Sequence, residues 1–343
     1  MVIGDPPVHG GRLNQAVRRW GIPREQWLDL STGINPNGWP VPPIPTDVWQ
    51  RLPEEDDGLQ SRIRAWSGVP DKAACIPVPG SQAAIQALPR LRPPCRVGVP
   101  DPGYQEHGHA WQVAGHQIRA ISPEELDGRD DWLDQLDVLV WIQPNNPTGA
   151  RVGQEQLLAW HQKLAARGGW LVVDEAFADG LADVSLAAWA GLPGLVILKS
   201  LGKFYGLAGL RAGAVLTEAG LGEALRRMIG PWALSGPARY VMRLALDDEA
   251  WAVQTAARLR HQSERLHTLL VSLGLSPAGG ALLFQYVRHP EARALADALA
   301  EQGILVRRFD EPPALRFGLP GTEAQWQRLS DTLSKVIDRL ITN

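Results

Sequence analysis

The sequence predicts an α/β protein: a mostly parallel central sheet with helices on both faces, then a smaller α+β region toward the C-terminus. Three observations predict it. From residue 75 onward, short apolar runs alternate with helical patterns, as in a parallel sheet whose strands are buried on both sides. After about residue 215 the texture changes to long amphipathic helices. The chain has 343 residues, 45% of them hydrophobic, which is ample for one large and one small domain.

The elements follow in order. The first 60 residues are rich in Pro, Gly and Trp, with helix candidates only at 11–20 and 58–67. Such a segment cannot stand alone, so it is expected to wrap over the rest as an arm over 1–45. A large domain is expected over 46–225 and a small one over 226–343. Cys75–Val78, Arg96–Val99, Val138–Ile142, Trp170–Val173 and Leu195–Leu198 read as buried strands, with helices at 81–88, 104–114, 153–167 and 182–190 between them. In the small domain, 237–273 reads as a long amphipathic helix with an internal break. Strands are expected at Ala281–Val287, Ile304–Arg307 and Leu315–Gly318, and helices near 290–302 and 322–341.

Composition excludes several function classes. The net charge of −3, with both signs interspersed, leaves no electrostatic footprint for nucleic acid, although a few placed arginines suffice for a small anion. No apolar run approaches the roughly 20 residues of a membrane span. The N-terminal MVIGDPPVHGG has no basic stretch followed by an apolar one, so a cytoplasmic protein without a signal peptide is expected. Cys75 and Cys95 make no disulfide framework, and no metal site is expected. The fourteen tryptophans are scattered, as core packing would scatter them.

In open parallel sheets, ligands bind beyond the carboxyl ends of the strands, so those ends carry the chemistry. After Cys75–Val78 comes PGSQAA, where Gly80 and Ser81 open a helix whose free N–H groups suit an anion. An ordinary N-cap serine would read the same way. After Arg96–Val99 comes PDPGYQEH, which sets Tyr104 at a helix start, able to cover a planar ligand or simply to join the core. After Val138–Ile142 the run QPNNPTG makes a stiff turn with exposed amides. Asp174 ends the apolar run Trp170–Val173, and a carboxylate there is costly without a positive partner. Leu195–Leu198 leads into KSLGKFYGLAGLRAG, with Lys199, Ser200, Lys203 and Arg211.

Together the strand ends offer an anion cradle, an aromatic lid, an amide, a carboxylate and a lysine. Pyridoxal 5′-phosphate would use them all, since it takes a lysine and an acidic partner for its ring nitrogen. A nucleotide-binding α/β protein is the runner-up. It is weakened by the absence of GxGxxG or GxxxxGK[ST] after any strand.

PNNPTG at 144–149, DEAF at 174–177 and SLGKFYGLAGLRAG at 200–213, in that order, resemble the fold type I pyridoxal-phosphate enzymes. Within these the likeness is to the class I/II aminotransferase group that includes histidinol-phosphate aminotransferase, and it covers nearly the whole chain. In that family the Schiff-base lysine lies three residues after a phosphate-binding serine and eight before a phosphate-binding arginine. The resemblance therefore implies Ser200, Lys203 and Arg211, and gives Lys199 no role. It further implies that Asn146 bonds the cofactor's phenolic oxygen and Asp174 its ring nitrogen. Tyr104 would stack on the ring, and Gly80, Ser81 and Gln82 would hold the phosphate. Arg316, in LRFGLP, matches the arginine that binds a substrate carboxylate. A C₂ homodimer is implied as well.

The N-terminal HGGRLNQAVRRWGIPREQWLDLSTGINPNG is similar to the threonine-phosphate decarboxylase branch of cobalamin biosynthesis. That implies decarboxylation of L-threonine O-3-phosphate to (R)-1-amino-2-propanol O-2-phosphate, with His9, Arg307 and Asn35 toward the substrate phosphate. Transamination of a phosphorylated amino compound is the alternative, because the two reactions differ only in which Cα bond stands perpendicular to the ring. The sequence departs from the family pattern at Leu52, Phe177, Gly202 and Ser235. Of these, Leu52 stands where relatives tend to have a tyrosine that reaches the neighbouring subunit.

Overall fold

The structure, a computed structural model, describes Pro7 and residues 9–127 and 130–341; the other residues of the expected arm, 1–6 and 8, lie outside it. The chain divides into two compact units, one of Gly38–Asn146 and Arg151–Gln254, the other of residues 9–37, Pro147–Ala150 and 255–341.

In chain order, α1 (Leu13–Trp20), β1 (Leu28–Asp29), α2 (Thr46–Gln50) and α3 (Leu59–Ser67) come first. Next are β2 (Ala74–Val78), α4 (Ser81–Ala87), β3 (Arg96–Pro100), α5 (Glu106–Val113), β4 (Gln117–Ile121) and β5 (Val138–Ile142). Then follow α6 (Gln154–Ala165), β6 (Trp170–Asp174), β7 (Leu195–Ser200), β8 (Gly213–Thr217), α7 (Ala219–Ile229), α8 (Gly236–Asp247) and α9 (Glu249–Ser272). The chain closes with β9 (Gly279–Ala281), β10 (Phe284–Arg288), α10 (Ala292–Glu301), β11 (Ile304–Leu305), β12 (Arg307–Phe309), β13 (Ala314–Gly318) and α11 (Glu323–Ile341).

The first unit is built on a seven-stranded sheet of order β2-β8-β7-β6-β5-β3-β4. All neighbours are parallel except β8, which runs antiparallel to both β2 and β7. The central strands are buried along their whole length, as VLVWI in β5 and LVILKS in β7 show. Each large apolar side chain buried there contributes about 1.5–3 kcal/mol. Val78, Val97, Val140, Val172, Val196 and Val215 join one apolar cluster beneath α4, α5 and α7.

Two strands of this sheet were not expected from sequence. β4 (QIRAI) is an edge strand with only its last residue fully buried, so its apolar signal is weak. β8 (GAVLT) follows directly on the glycine-rich turn that masks its start. The expected helix at 182–190 is not formed. That stretch holds only a 3₁₀ turn at Ala187–Trp189, because the Ser185 hydroxyl and the Leu186 N–H are both committed to the Glu175 carboxylate, at 2.6 and 2.7 Å. The break in the long helix falls at Asp248. Its Oδ1 accepts from Trp251 N–H at 3.0 Å and caps α9, while Oδ2 accepts from Trp39 Nε1 at 3.0 Å.

The second unit has an antiparallel sheet of order β12-β13-β10-β9 and a two-stranded parallel pair, β1 with β11. The expected strand Ala281–Val287 is a hairpin, turning at Leu282–Leu283 between β9 and β10. Residues 9–37 belong to this unit: Leu28 and Asp29 pair with Ile304 and Leu305, and Leu30 O accepts from Gly318 N–H at 2.7 Å.

Candidate active site

The register of the first unit's sheet aligns the strand ends that the sequence singled out. Gly213 pairs with both Ser200 and Val78, so the start of β8, the end of β7 and the Pro79–Ser81 turn meet at one point. Gly80 (φ 75°, ψ 156°) takes a backbone conformation open to glycine alone, and a Cβ there would sit 2.9 Å from an Arg211 guanidinium nitrogen. A Cβ on Gly213 would lie 3.1 Å from Ser81 N. Arg211 itself has φ 54° and donates from Nη1 to Ala208 O at 3.1 Å. Gly80, Ser81, Ser200 and Arg211 thus form one cradle, kept open by the missing side chains of two glycines. Ser200 Oγ accepts from Gly202 N–H at 3.2 Å. This cradle of cation, hydroxyl and backbone N–H fits a phosphate.

Asp174 ends β6 in a buried position. Its Oδ2 lies 2.8 Å from His107 Nε2, and Oδ1 accepts from Ala176 N–H at 3.0 Å. An ionised carboxylate can only accept, so Nε2 of His107 carries the proton in that pair. Sequence reasoning missed His107, which is itself buried. Tyr104 precedes α5 and His107 lies within it, so the three-residue spacing in PGYQEH marks nothing until the fold sets Asp174 beside the histidine. The Tyr104 and His107 rings meet edge to face, 6.1 Å between centroids.

Tyr104 is half-buried and donates to Gln82 Oε1 at 3.3 Å. Burial first, and then the Glu106 and Asp174 charges, push its phenol up to about 12, so it stays neutral at physiological pH. The Gln82 amide also donates to Glu106 Oε2 at 2.7 Å, so its side chain belongs to the tyrosine rather than to the Arg211 cradle. Asn146 follows Asn145, whose amide donates to Pro102 O at 2.8 Å. Gln143 ties its side chain to Val152 at both ends, at 2.6 and 3.1 Å, and closes the turn in which Asn146 lies.

The two lysines have opposite surroundings. Lys199 is buried, with Nζ 2.8 Å from Asp179 and 3.6 Å from Glu175 and the Trp66 ring centroid 4.9 Å away. Burial opposes its charge, but the two carboxylates outweigh it and hold the ammonium above its ordinary pKa. Lys203 is only half-buried, and its Nζ stands 5.3 Å from the centre of the Phe177 ring, over the loop that begins at Asp174.

In the second unit Arg316 lies in β13, paired with Arg307 of β12 on one side and Tyr286 of β10 on the other. Arg316 is buried and donates to Ser31 O at 2.7 Å, with its guanidinium 5.1 Å from the Phe284 ring centroid. Burial, and then the Arg307 charge, push it down to about 9. Arg307 is lowered too, by burial and then by Arg12 and Arg308. Both groups gain from an anion. His9 precedes Gly10 and Gly11, which pack on Ser31: Gly11 N–H donates to Ser31 Oγ at 2.8 Å, and a Cβ on Gly10 would lie 2.4 Å from Ser31 O. Asn35 is buried and accepts from Asn37 N–H at 3.0 Å.

Residues 27–333 match the family of class I and II aminotransferases. The chain belongs to that family. A threonine-phosphate decarboxylase from Pseudomonas aeruginosa is 50% identical to it over 325 residues, covering 95% of this chain and 96% of that protein. A second, from a Sinorhizobium species, is 37% identical over 335 residues, covering 96% and 98%. A solved histidinol-phosphate aminotransferase from Sinorhizobium meliloti, in complex with pyridoxal-5′-phosphate, superimposes with a TM-score of 0.79 at 20% identity, covering 98% of this chain and 96% of that one. The fold is therefore that of the fold type I enzymes, as the three motifs implied. Among the described residues there is no cluster of metal-ligating side chains, and no helix is long and apolar enough to cross a membrane.

Proposed function

We propose that the protein is a pyridoxal-phosphate enzyme that decarboxylates L-threonine O-3-phosphate to (R)-1-amino-2-propanol O-2-phosphate and CO₂, a cytoplasmic step of cobalamin biosynthesis. The observation that carries this reading is the 50% identity to a threonine-phosphate decarboxylase across 95% of the chain. Bound pyridoxal phosphate supplies an electron sink for the pair released when a Cα bond breaks.

The residues divide the remaining work. Lys203 supplies the amine that holds the cofactor, since Lys199 is engaged by two carboxylates. Arg211, Ser200, Gly80 and Ser81 take its phosphate. Asp174, oriented by His107 and by Ala176 N–H, holds a proton on the ring nitrogen. Tyr104 covers the ring, Gln82 orients Tyr104, and Asn146 bonds the phenolic oxygen. In the second unit Arg316 is the carboxylate partner, fixed by Ser31 and ready for a planar bidentate contact. Arg307, His9 and Asn35 take the substrate phosphate.

A homodimer belongs to the same reading. Trp49, Leu52 and Trp232 are 64%, 65% and 55% exposed, with Met228 close to half exposed. Large apolar side chains left open on one unit, on α2 and around the α7–α8 connection, suit a partner surface. A C₂ dimer would cover them.

Incubation with L-threonine phosphate, with and without a 2-oxo acid, tests the reaction. CO₂ and a phosphorylated amino alcohol are expected without the 2-oxo acid. A keto product that forms only with it would replace decarboxylation by transamination.

A further inference from the structure

Lys199 is the conspicuous group that the proposed chemistry does not use. It is a lysine with 5% of its surface exposed, one residue before Ser200 and four before Lys203. For stability alone such a residue is a poor choice, because well-packed hydrophobic side chains usually match or exceed a buried ion pair. What an ion pair supplies is a fixed geometry.

Its partners come from two places in the first unit. Asp179 and Glu175 lie on the loop that follows Asp174, at 2.8 and 3.6 Å, and Trp66 lies in the last turn of α3, its ring centroid 4.9 Å from Nζ. Glu175 in turn accepts from Ser185 Oγ at 2.6 Å and Leu186 N–H at 2.7 Å. The same Trp66 ring meets Tyr205 edge to face at 6.2 Å. Tyr205 stacks on Trp251 at 5.4 Å, Phe204 packs edge-on to both, and Tyr205 O accepts from Trp39 N–H at 2.8 Å. The residues just after Lys203 are therefore clamped by aromatics, and those just before it by the ion pairs. Trp66 touches both clamps. Side chains alternate along a strand, so anchoring Lys199 on one face of β7 fixes how Ser200 is presented on the other.

We propose that Lys199 is a positioning residue: through Asp179, Glu175 and Trp66 it fixes the end of β7 and the turn that presents Lys203 and Ser200 to the cofactor. The inference rests on reading Lys203 as the cofactor amine. Lys199→Met and Lys199→Arg holoenzymes test it through the cofactor's visible band, the pH midpoint of that band, the cofactor dissociation constant, and kcat and KM. Lys199→Met is expected to shift the midpoint, weaken cofactor binding about tenfold, and lower kcat by about a hundredfold with little change in KM, the scale of a misplacement of about 1 Å. Lys199→Arg, which keeps the charge and can still lie over Trp66, should stay within about threefold of wild type in both binding and kcat.

Trp66→Leu keeps every charge and carries the test should Lys199→Met not fold; it should move the band midpoint in the same direction. The proposal is overturned if these variants lose thermal stability while band, midpoint and dissociation constant stay as in wild type. It is overturned equally if Lys199→Arg is as impaired as Lys199→Met. Because the cofactor readouts need no substrate, a wild-type enzyme that binds cofactor yet leaves threonine phosphate intact would end the substrate reading alone.

Discussion

Lys199 and Lys203 stand four residues apart and differ in what surrounds them. Lys203 is half-buried over Phe177, whereas Lys199 is buried and tied to Asp179 and Glu175, and the proposed reading gives the cofactor to Lys203. Lys203→Ala should therefore abolish the visible absorbance of the bound cofactor, and borohydride-trapped cofactor should map to Lys203 in the wild type. Peptide mass spectrometry that placed it on Lys199 would reverse the assignment. Asp174→Asn should keep the band and slow turnover at least about a hundredfold, the scale lost when one preorganised charge leaves a site. His107→Ala removes a single hydrogen bond to that carboxylate and should cost about one to two decades in kcat.

In the proposed reading two arginines divide the substrate in the same way. Arg307→Ala should lower kcat/KM for threonine phosphate by about one to two decades and leave unphosphorylated threonine unaffected, whereas Arg316→Ala should impair both. Steady-state kinetics on the two substrates checks this, and an equal loss for both on Arg307→Ala would remove it from the phosphate. Tyr104 gives a pH dependence. Its folded pKa of about 12 lies above the ordinary value of 10, so the folded state keeps a proton that the unfolded chain releases between those values. Stability should fall through that alkaline window, and Tyr104→Phe should lose this part of the decline in urea unfolding at graded pH. At this scale the spacing of Ser200, Lys203 and Arg211 was legible through the family resemblance. His107 was not, because a lone histidine on a helix carries no signature until the fold sets Asp174 beside it.

At the scale of elements, the strand ends matter more than the strands. Gly80 and Gly213 leave the space that Arg211 and Ser81 share. Gly80→Ala would set a side chain against the guanidinium in a backbone region costing about 1–3 kcal/mol for any other residue. The variant should fold but bind cofactor at least about tenfold more weakly, read by equilibrium dialysis. Unchanged affinity would separate the Arg211 cradle from the cofactor. β2, β3, β5, β6 and β7 were legible because each carries a short run of mostly buried apolar residues. β4 was not, since an edge strand is buried on too few residues to show a pattern, and 182–190 read as a helix because the pull of Glu175 on Ser185 and Leu186 is a tertiary effect.

At the scale of the molecule, residues 9–37 of the expected arm cluster with the C-terminal segments, through the β1–β11 pair and the Gly10–Gly11 contact with Ser31, while 38–45 join the first unit. Composition marked 1–45 as unable to stand alone, but pairing partners more than 250 residues away have no local signal. The exposed Trp49, Leu52 and Trp232 argue for a second copy. Sedimentation should find a dimer that Trp49→Glu combined with Leu52→Glu weakens, whereas a fully active wild-type monomer would contradict it.

The proposed reaction is tested with purified holoenzyme, carboxyl-labelled L-threonine phosphate and no 2-oxo acid, by counting released CO₂ against phosphorylated amino alcohol. The two are expected in equal amounts, turnover after turnover. No labelled CO₂, with a 2-oxo acid required for any turnover beyond one equivalent of substrate per site, would contradict it.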